Sequence, residues 1–440
     1  MVKAPMTKEK LMQYTAVALF VIAFLSFFVY GLDSLIVCGV AAGVAVLCDK
    51  LMAKLMGPKG PADMMSAVVF GLIVGLSYTV GEPQLMSTGT FYAGLSEGLE
   101  IALIPALISA IGLIVFKKLQ GLTGRKYVNP AAIAKLLVIG LLFMTMYTSV
   151  NFFIPQDHVD SINLQAPLTQ EVFGTTLQTC YGHPTNTMID LMSGAPVELE
   201  DTIWTMLWAK YHGWAGGFSS LLVIGVGLGL FFVCRGYFKW RITLSYMVGT
   251  VIMAALMSVI FGGSAILMED LILRIVFHLF MASSIFLAFF MATDPATTPM
   301  THMGQLIFGI GLAVLTVVIQ TYTGFLGGSI VALVIMNLTC PVLDHIGAPK
   351  GSSERREVKL PKLKKVGRPP TTACMRCGQC LTACPMGIPS IFVKNAVDKG
   401  NWEKAATLGA GYCIGCGQCS LVCPARIDLK GAVVAAKEKA

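Results

Sequence analysis

The sequence predicts an all-α polytopic membrane protein of about ten transmembrane helices, followed by a small helical domain built around cysteines. Three observations predict this architecture. The composition is 55% hydrophobic and only 13% charged, with a mean hydropathy of +0.73, far outside the range of ordinary soluble domains. Long apolar runs recur as far as residue 343. Beyond them, eight of the 13 cysteines form two copies of one pattern.

The apolar runs have roughly the 17–25 residues that a helix needs to cross a bilayer. The second run is the weakest because Asp49 and Lys50 interrupt it, and the third is short. We predict spans near 11–31, 34–49, 64–80, 97–116, 131–150, 216–234, 242–261, 268–292, 304–322 and 325–343.

Lysine and arginine in the short connections predict the orientation, because cytoplasmic loops carry an excess of both. With the N-terminus inside, the basic residues fall in the inner loops. The segment 81–96 has no basic residue, and 151–215 has one lysine against seven acidic residues. An even number of spans returns the C-terminus to the inner side. We therefore expect a multi-pass protein of the cell inner membrane with both termini in the cytoplasm. The net charge of +8 follows from this topology and does not indicate nucleic-acid binding.

Composition divides the chain into a membrane domain (1–346), a basic, proline-rich tether (347–370) and a cysteine-rich domain (371–440). The tether is either a solvated linker or a contact for anionic lipid headgroups. The last domain is too small for a large apolar core, so its folding should depend on bound metal. The residues between its cysteine runs have helical spacing, which predicts a helical domain.

The cysteine pattern itself indicates iron–sulfur chemistry. Its two copies are Cys374-x2-Cys377-x2-Cys380-x3-Cys384-Pro385 and Cys413-x2-Cys416-x2-Cys419-x3-Cys423-Pro424. In this run of bacterial ferredoxins, three thiolates bind one [4Fe–4S] cube and the fourth crosses to the other cube. One predicted ligand set is therefore Cys374, Cys377, Cys380 and Cys423, and the other is Cys413, Cys416, Cys419 and Cys384. A zinc site needs only four ligands and gives no reason for the doubling.

Few polar residues interrupt the spans. Asn129-Pro130 and Asp294-Pro295 each stand where an inner loop meets apolar sequence, which is typical of helix caps but also of pivots in a repeated membrane core. Lys135 lies near an inner helix end, where its ammonium group is expected to snorkel to the interface. His278 is expected to be a hydrogen-bonded core histidine.

Longer motifs resemble a known family. Asn129-Pro130-Ala131, the run FFMATDPATTPMTHMGQLIFG (289–309) and MNLTCPVLDHI (336–346) resemble the D subunit of Rnf electron-transport complexes, which is related to the B subunit of the sodium-pumping NADH:quinone oxidoreductase. Separately, ACMRCGQCLTACPMGIPS and YCIGCGQCSLVCPARIDL resemble the ferredoxin region of the Rnf C subunit. The chain thus resembles two Rnf parts in one polypeptide.

The resemblance implies a flavin-carrying membrane core, with Asn129, Asp294 and Thr297 as candidate flavin contacts. It also implies that FMN is attached through a phosphoester to an outer-side threonine. The matching position here is Ala166, and a second candidate segment has Pro196 in that place. Neither side chain has a hydroxyl group to esterify. We therefore expect FMN to be bound non-covalently or to be absent.

Two function classes remain open. The first is a redox subunit that passes electrons from cytoplasmic clusters to a membrane flavin or a neighbouring subunit, with Na⁺ or H⁺ movement coupled to that flow. The resemblance implies as partners other Rnf-like membrane subunits, a soluble ferredoxin or NAD-linked carrier, and a quinone or cytochrome. The second is a flavin-free membrane anchor that tethers a ferredoxin domain to a redox complex. A transport protein with the clusters as sensor is disfavoured because paired intramembrane acids are scarce.

Overall fold

The computed structural model describes residues 7–57, 62–78, 95–122, 126–147, 207, 214–234, 237–262, 268–280, 284–323, 327–347 and 372–439. Within these ranges the regular structure is helical and contains no strand. The predicted fold class, an all-α membrane domain followed by a helical cysteine-rich domain, is therefore confirmed. Residues 348–370 of the tether and Ala166 lie outside the described residues.

The first half of the membrane domain contributes five apolar helices. They are α1 (Lys8–Tyr30), α2 (Leu32–Met56), α3 (Met64–Leu76), α4 (Leu95–Ile111) and α5 (Pro130–Tyr147). Helix α4 continues as a π-helix over Gly112–Leu119 and ends in the turn Gln120–Leu122. Thr7 caps α1, because its hydroxyl oxygen accepts a hydrogen bond from the Lys10 N–H at 3.3 Å.

The second half begins with a short 3₁₀ turn at Ala215–Gly217. Its apolar helices are α6 (Ser220–Val233), α7 (Trp240–Gly262), α8 (Met268–Phe280), α9 (His302–Thr323) and α10 (Gly328–Leu343). The predicted span 268–292 is not one regular α-helix. After α8 the chain forms the turn Ser284–Phe286 and then a π-helix over Leu287–Met291, both fully buried.

In the described ranges, five helices are long and apolar enough to cross a membrane, and three shorter apolar helices accompany them. The predicted number of ten spans is not settled by this observation. The helices pack closely where small residues face each other, as is common in membrane proteins. A Cβ atom on Gly75 of α3 would lie 2.7 Å from the Cα of Cys38 in α2.

Charged residues tie several elements together on one face of the membrane domain. The Lys8 ammonium group lies 2.6 Å from Asp63, whose N–H donates to Asp49 at 2.8 Å. Asp49 also pairs with Lys118 at 2.7 Å. The backbone N–H of Lys8 donates to the Pro424 carbonyl at 3.3 Å. The N-terminus and the cysteine-rich domain therefore lie on the same face.

The C-terminal domain is a set of short helices around two small apolar clusters. The helices are α11 (Gln379–Thr382), α12 (Ser390–Asp398), α13 (Trp402–Thr407), α14 (Gln418–Leu421) and α15 (Leu429–Lys439). One apolar cluster is internal to the domain and includes Ile388 and Val433. The other includes Leu381, Leu429 and Met300 of the membrane domain, so the two domains share buried surface.

Candidate iron–sulfur cluster sites

Both cysteine runs fold into a loop that ends in one helical turn. Gly378 (φ 80°) precedes α11 and Gly417 (φ 75°) precedes α14. Both glycines occupy the left-handed region, which side chains disfavour and glycine adopts readily. The shared sequence Cys-Gly-Gln-Cys thus produces the same local bend in both runs, and the bend turns the cysteines of each loop toward a common cavity.

The first cavity is lined by three cysteines of the first run and the last cysteine of the second run. These four residues are Cys374, Cys377, Cys380 and Cys423. Met300, from the loop before α9, also lines this cavity. The membrane domain therefore forms part of its wall.

The second cavity has the reciprocal composition. Its cysteines are Cys384, Cys413, Cys416 and Cys419, and the rest of its wall comes from the C-terminal domain itself. The structure thus brings together the two sets that the sequence predicts, each with its crossed-over fourth member. The assignment of these residues as ligands stays a prediction.

The number and chemical state of the cysteines determine which metal centre each cavity could hold. In the described residues, no three His, Cys, Asp or Glu side chains converge closely enough to hold a single metal ion. The eight cysteines are also free thiols that form no disulfide with one another. A [4Fe–4S] cube takes four thiolates, each bound to a different iron. Each cavity therefore offers the number of thiols that one cube requires.

Burial makes these thiols poor acids on their own. It raises the pKa of Cys377 to about 11 and also raises the pKa of Cys380. A thiol of this kind stays protonated near neutral pH unless a metal replaces the proton. Metal binding at these thiols would therefore release their protons.

Backbone N–H groups point at sulfur atoms in both loops. The Arg376 N–H lies 3.4 Å from Cys374 Sγ, and the Gly415 N–H lies 3.4 Å from Cys413 Sγ. Such hydrogen bonds stabilise negative charge on the sulfur and tune the reduction potential of a bound cluster. The two loops therefore have equivalent hydrogen bonds at their first cysteine.

The candidate flavin contacts act as helix caps and turn formers. The Asn129 carboxamide oxygen accepts the Ala131 N–H at 3.0 Å, and its amide group donates to the Met291 carbonyl at 3.1 Å. Asp294 accepts the Thr297 hydroxyl at 3.3 Å. Asn129 therefore contacts the chain three residues before Asp294, so the structure brings the two motifs close together. The flavin pocket proposed for them remains a prediction.

The expectation for Lys135 is wrong. Its side chain is buried, and the ammonium group donates to the Ser77 carbonyl and lies over the Trp214 ring, 4.1 Å from its centroid. A buried carbonyl and an aromatic face replace water around the charge. The prediction for His278 is confirmed, because its Nδ1 atom lies 2.9 Å from the Gln320 side-chain oxygen in the core.

The sequence interpretation missed three residues that join the domains, namely Met300, Asp344 and Arg376. The Arg376 guanidinium lies 2.5 Å from the Asp344 carboxylate. One signal was visible in the sequence, because Arg376 occupies the place that Gly415 occupies in the second cysteine run.

Comparison with known proteins assigns both parts of the chain. Residues 1–352 match the model of the NQR2, RnfD, RnfE family. The chain belongs to this family. The resemblance to the Rnf D subunit is thereby confirmed, and the protein is a multi-pass membrane protein. Residues 373–427 match the 4Fe-4S dicluster domain.

Curated relatives agree with the family assignment. The D subunit of the Na(+)-translocating ferredoxin:NAD(+) oxidoreductase complex of Acetobacterium woodii is 24% identical over 369 residues, which cover 83% of this chain and 95% of that protein. The D subunit of the ion-translocating oxidoreductase complex of Aeromonas hydrophila is 26% identical over 381 residues, covering 80% of this chain and 98% of the relative. This chain is thus an RnfD-type membrane domain joined to a dicluster domain.

Proposed function

We propose that this RnfD-type protein is a redox subunit of an Rnf-like membrane electron-transfer complex. In this proposal it passes electrons from two cytoplasmic [4Fe–4S] clusters to a membrane flavin or a partner subunit, and ion movement is coupled to that flow. One observation carries the proposal. Two cavities, each lined by four cysteines, lie in a domain that packs directly on an RnfD-type membrane domain.

The chain's own groups would hold and tune the clusters. Cys374, Cys377, Cys380 and Cys423 would bind one cube, and Cys384, Cys413, Cys416 and Cys419 the other. When bound, such cubes supply one-electron transfer. The protein contributes four thiolates to each site, largely apolar walls, and N–H groups directed at sulfur.

The names of the relatives support the choice of partners. Both relatives belong to ion-translocating oxidoreductase complexes. We therefore expect other Rnf-like membrane subunits beside this chain, with a soluble ferredoxin or NAD-linked carrier and a quinone or cytochrome as exchange partners. The basic loops favour a cytoplasmic face for both termini and the dicluster domain, and the basic tether suits contact with anionic lipids.

A flavin-free anchor is the second candidate function, and Ala166 favours it. The residue lacks the hydroxyl group that a phosphoester bond to FMN requires. In this case the membrane domain would only hold the dicluster domain beside a partner that accepts the electrons.

Flavin analysis separates the two candidates. The chain is purified in mild detergent with its native partners, and flavin bound to this chain is quantified before and after denaturation. A redox subunit retains non-covalent flavin that becomes reduced when the clusters are reduced. A chain that contains iron and sulfide but no flavin would overturn the membrane-flavin route and support the anchor.

A further inference from the structure

Arg376 has an unusual backbone conformation. It lies between two predicted ligands, Cys374 and Cys377, and its φ angle is 56°. The equivalent residue of the second run is Gly415, with a φ angle of 70°. Glycine adopts this left-handed conformation readily, whereas a residue with a Cβ atom is disfavoured there. The local fold of the loop therefore favours glycine at this place, although Arg426 of the same domain also adopts this conformation, with a φ angle of 58°.

The side chain of Arg376 forms an ion pair across the domain boundary. The Arg376 guanidinium lies 2.5 Å from Asp344 Oδ2, and the two side chains are only 13% and 4% exposed. The other oxygen of Asp344 accepts the Met300 N–H at 2.9 Å. Asp344 directly follows α10, so one carboxylate joins the end of the membrane domain, the loop before α9 and the first cysteine loop.

Further contacts bring the first cysteine loop against the membrane domain. A Cβ atom on Gly378 would lie 2.6 Å from the Met300 carbonyl oxygen, so the two backbones approach closely. The rings of His345 and Phe392 lie 6.0 Å apart across the same boundary. The Cys374 cavity is consequently closed on one side by the membrane domain.

The Cys413 cavity has a different environment. The residues that line it belong to the C-terminal domain, and none comes from the described part of the membrane domain. Lys430 lines this cavity and is exposed to solvent, and Cys413, Cys416 and Cys419 are themselves half-buried. The membrane domain therefore covers one side of the Cys374 site, where Cys380 and Cys423 are buried and Cys374 itself is exposed. All four cysteines of the Cys413 site are half-buried, and no residue of the described membrane domain lines that site.

We propose that Arg376 is a positioning residue that holds the dicluster domain in one orientation. In that orientation the Cys374 site faces the membrane domain, and the Cys413 site is presented to a soluble redox partner. The ion pair with Asp344 links the first cysteine loop to the membrane domain. The inference rests on the proposed function in one respect, namely that both sites hold clusters.

Solvent accessibility of the two clusters tests the orientation. The full chain in detergent is reduced, and a water-soluble dysprosium chelate is added while the relaxation of both EPR signals is measured. The Cys416→Ser variant assigns one signal to the Cys413 site. The chelate should accelerate relaxation of the Cys413-site cluster several-fold more than that of the Cys374-site cluster. Equal acceleration of the two signals in the unmodified chain would overturn the orientation.

Substitution of Arg376 tests its positioning role. Arg376→Gly removes the ion pair. Because glycine adopts the left-handed conformation readily, the loop should still fold and the iron content should stay unchanged. The Cys374-site signal should then become as sensitive to the chelate as the other signal. Arg376→Lys retains the positive charge and should preserve most of the protection. Lys394→Ala, which breaks an exposed ion pair with Asp398 on α12, is the matched control and should change nothing.

Hydrogen exchange gives a readout that does not depend on the clusters. The buried Met300 N–H donates a hydrogen bond to Asp344. This N–H should exchange with solvent several-fold faster in Arg376→Gly than in Lys394→Ala. Unchanged exchange together with unchanged chelate sensitivity would overturn the role of Arg376. A chain without clusters would refute the proposed function, whereas two intact clusters with equal accessibility would refute only the inference.

Discussion

The eight cysteines near the C-terminus are arranged so that sequence neighbours do not all share one site. Cys384 follows Cys380 by four residues, yet it lines the cavity of Cys413, Cys416 and Cys419. Cys384→Ser should therefore alter the EPR signal of the Cys413-site cluster and leave the Cys374-site cluster intact. The matched variant, Cys423→Ser, should show the reverse. Damage to the Cys374 site in Cys384→Ser would mean that each run binds its own cube.

Ala166 leads to a second prediction at the residue scale. Phosphoester attachment of FMN needs a side-chain hydroxyl, which alanine lacks. The denatured chain should accordingly show no flavin fluorescence on a gel, even if native preparations contain FMN. Ala166→Thr should restore attachment where the flavin-transferring enzyme is present. A denaturation-resistant fluorescent band from the unmodified chain would contradict the prediction and make Thr169 the first residue to test.

Residue spacing is sufficient to group the cysteines but not to find what surrounds them. The doubled run is a ferredoxin pattern in which the fourth cysteine crosses to the other cube, so the pattern alone predicts the two groups. The Arg376–Asp344 pair joins residues 32 positions apart in two different domains, and such a contact has no periodic signal. The expectation for Lys135 fails because a position near a helix end suggests water nearby, whereas the folded chain supplies the Ser77 carbonyl and the Trp214 ring.

Among the elements, the contact between α2 and α3 depends on glycine. A Cβ atom on Gly71 would lie 2.7 Å from the Ala41 carbonyl oxygen, while a Cβ atom on Gly43 would meet nothing within 4 Å. Gly71→Ala should destabilise the domain by about 1–3 kcal/mol, the usual cost of overpacking. Gly43→Ala, the control at an uncrowded position of α2, should leave the unfolding temperature unchanged or slightly raised. Equal unfolding temperatures in detergent would contradict this account of the contact.

Helical elements are easier to predict than their irregularities. Each predicted apolar run is helical over most of the residues that the structure describes, because run length and hydropathy are local properties. The π-helices at Gly112–Leu119 and Leu287–Met291 have no such local signal. Gly112, which begins the first of them, approaches Phe70 of α3 closely, and such a tertiary contact also has no local signal. Apolar composition alone does not distinguish such a stretch from an α-helix.

For the whole molecule, the structure places Lys8 against Pro424, so the N-terminus and the dicluster domain share one face. The basic loops predict that this face is cytoplasmic and that residues 151–215 lie on the opposite side. A cysteine engineered into 151–215 should react with an impermeant thiol reagent added to the outer face of intact cells. A cysteine at Lys10 should react only after the inner face is exposed. The opposite labelling pattern would reverse the orientation.

The central claim is that this RnfD-type protein carries two [4Fe–4S] clusters in a domain fixed to its membrane face. Iron, acid-labile sulfide and zinc, measured together on the anaerobically purified full chain, test it most directly. Two cubes require about eight irons and eight sulfides per chain, with no stoichiometric zinc. A preparation with four irons and one zinc, or with zinc alone, would contradict the claim.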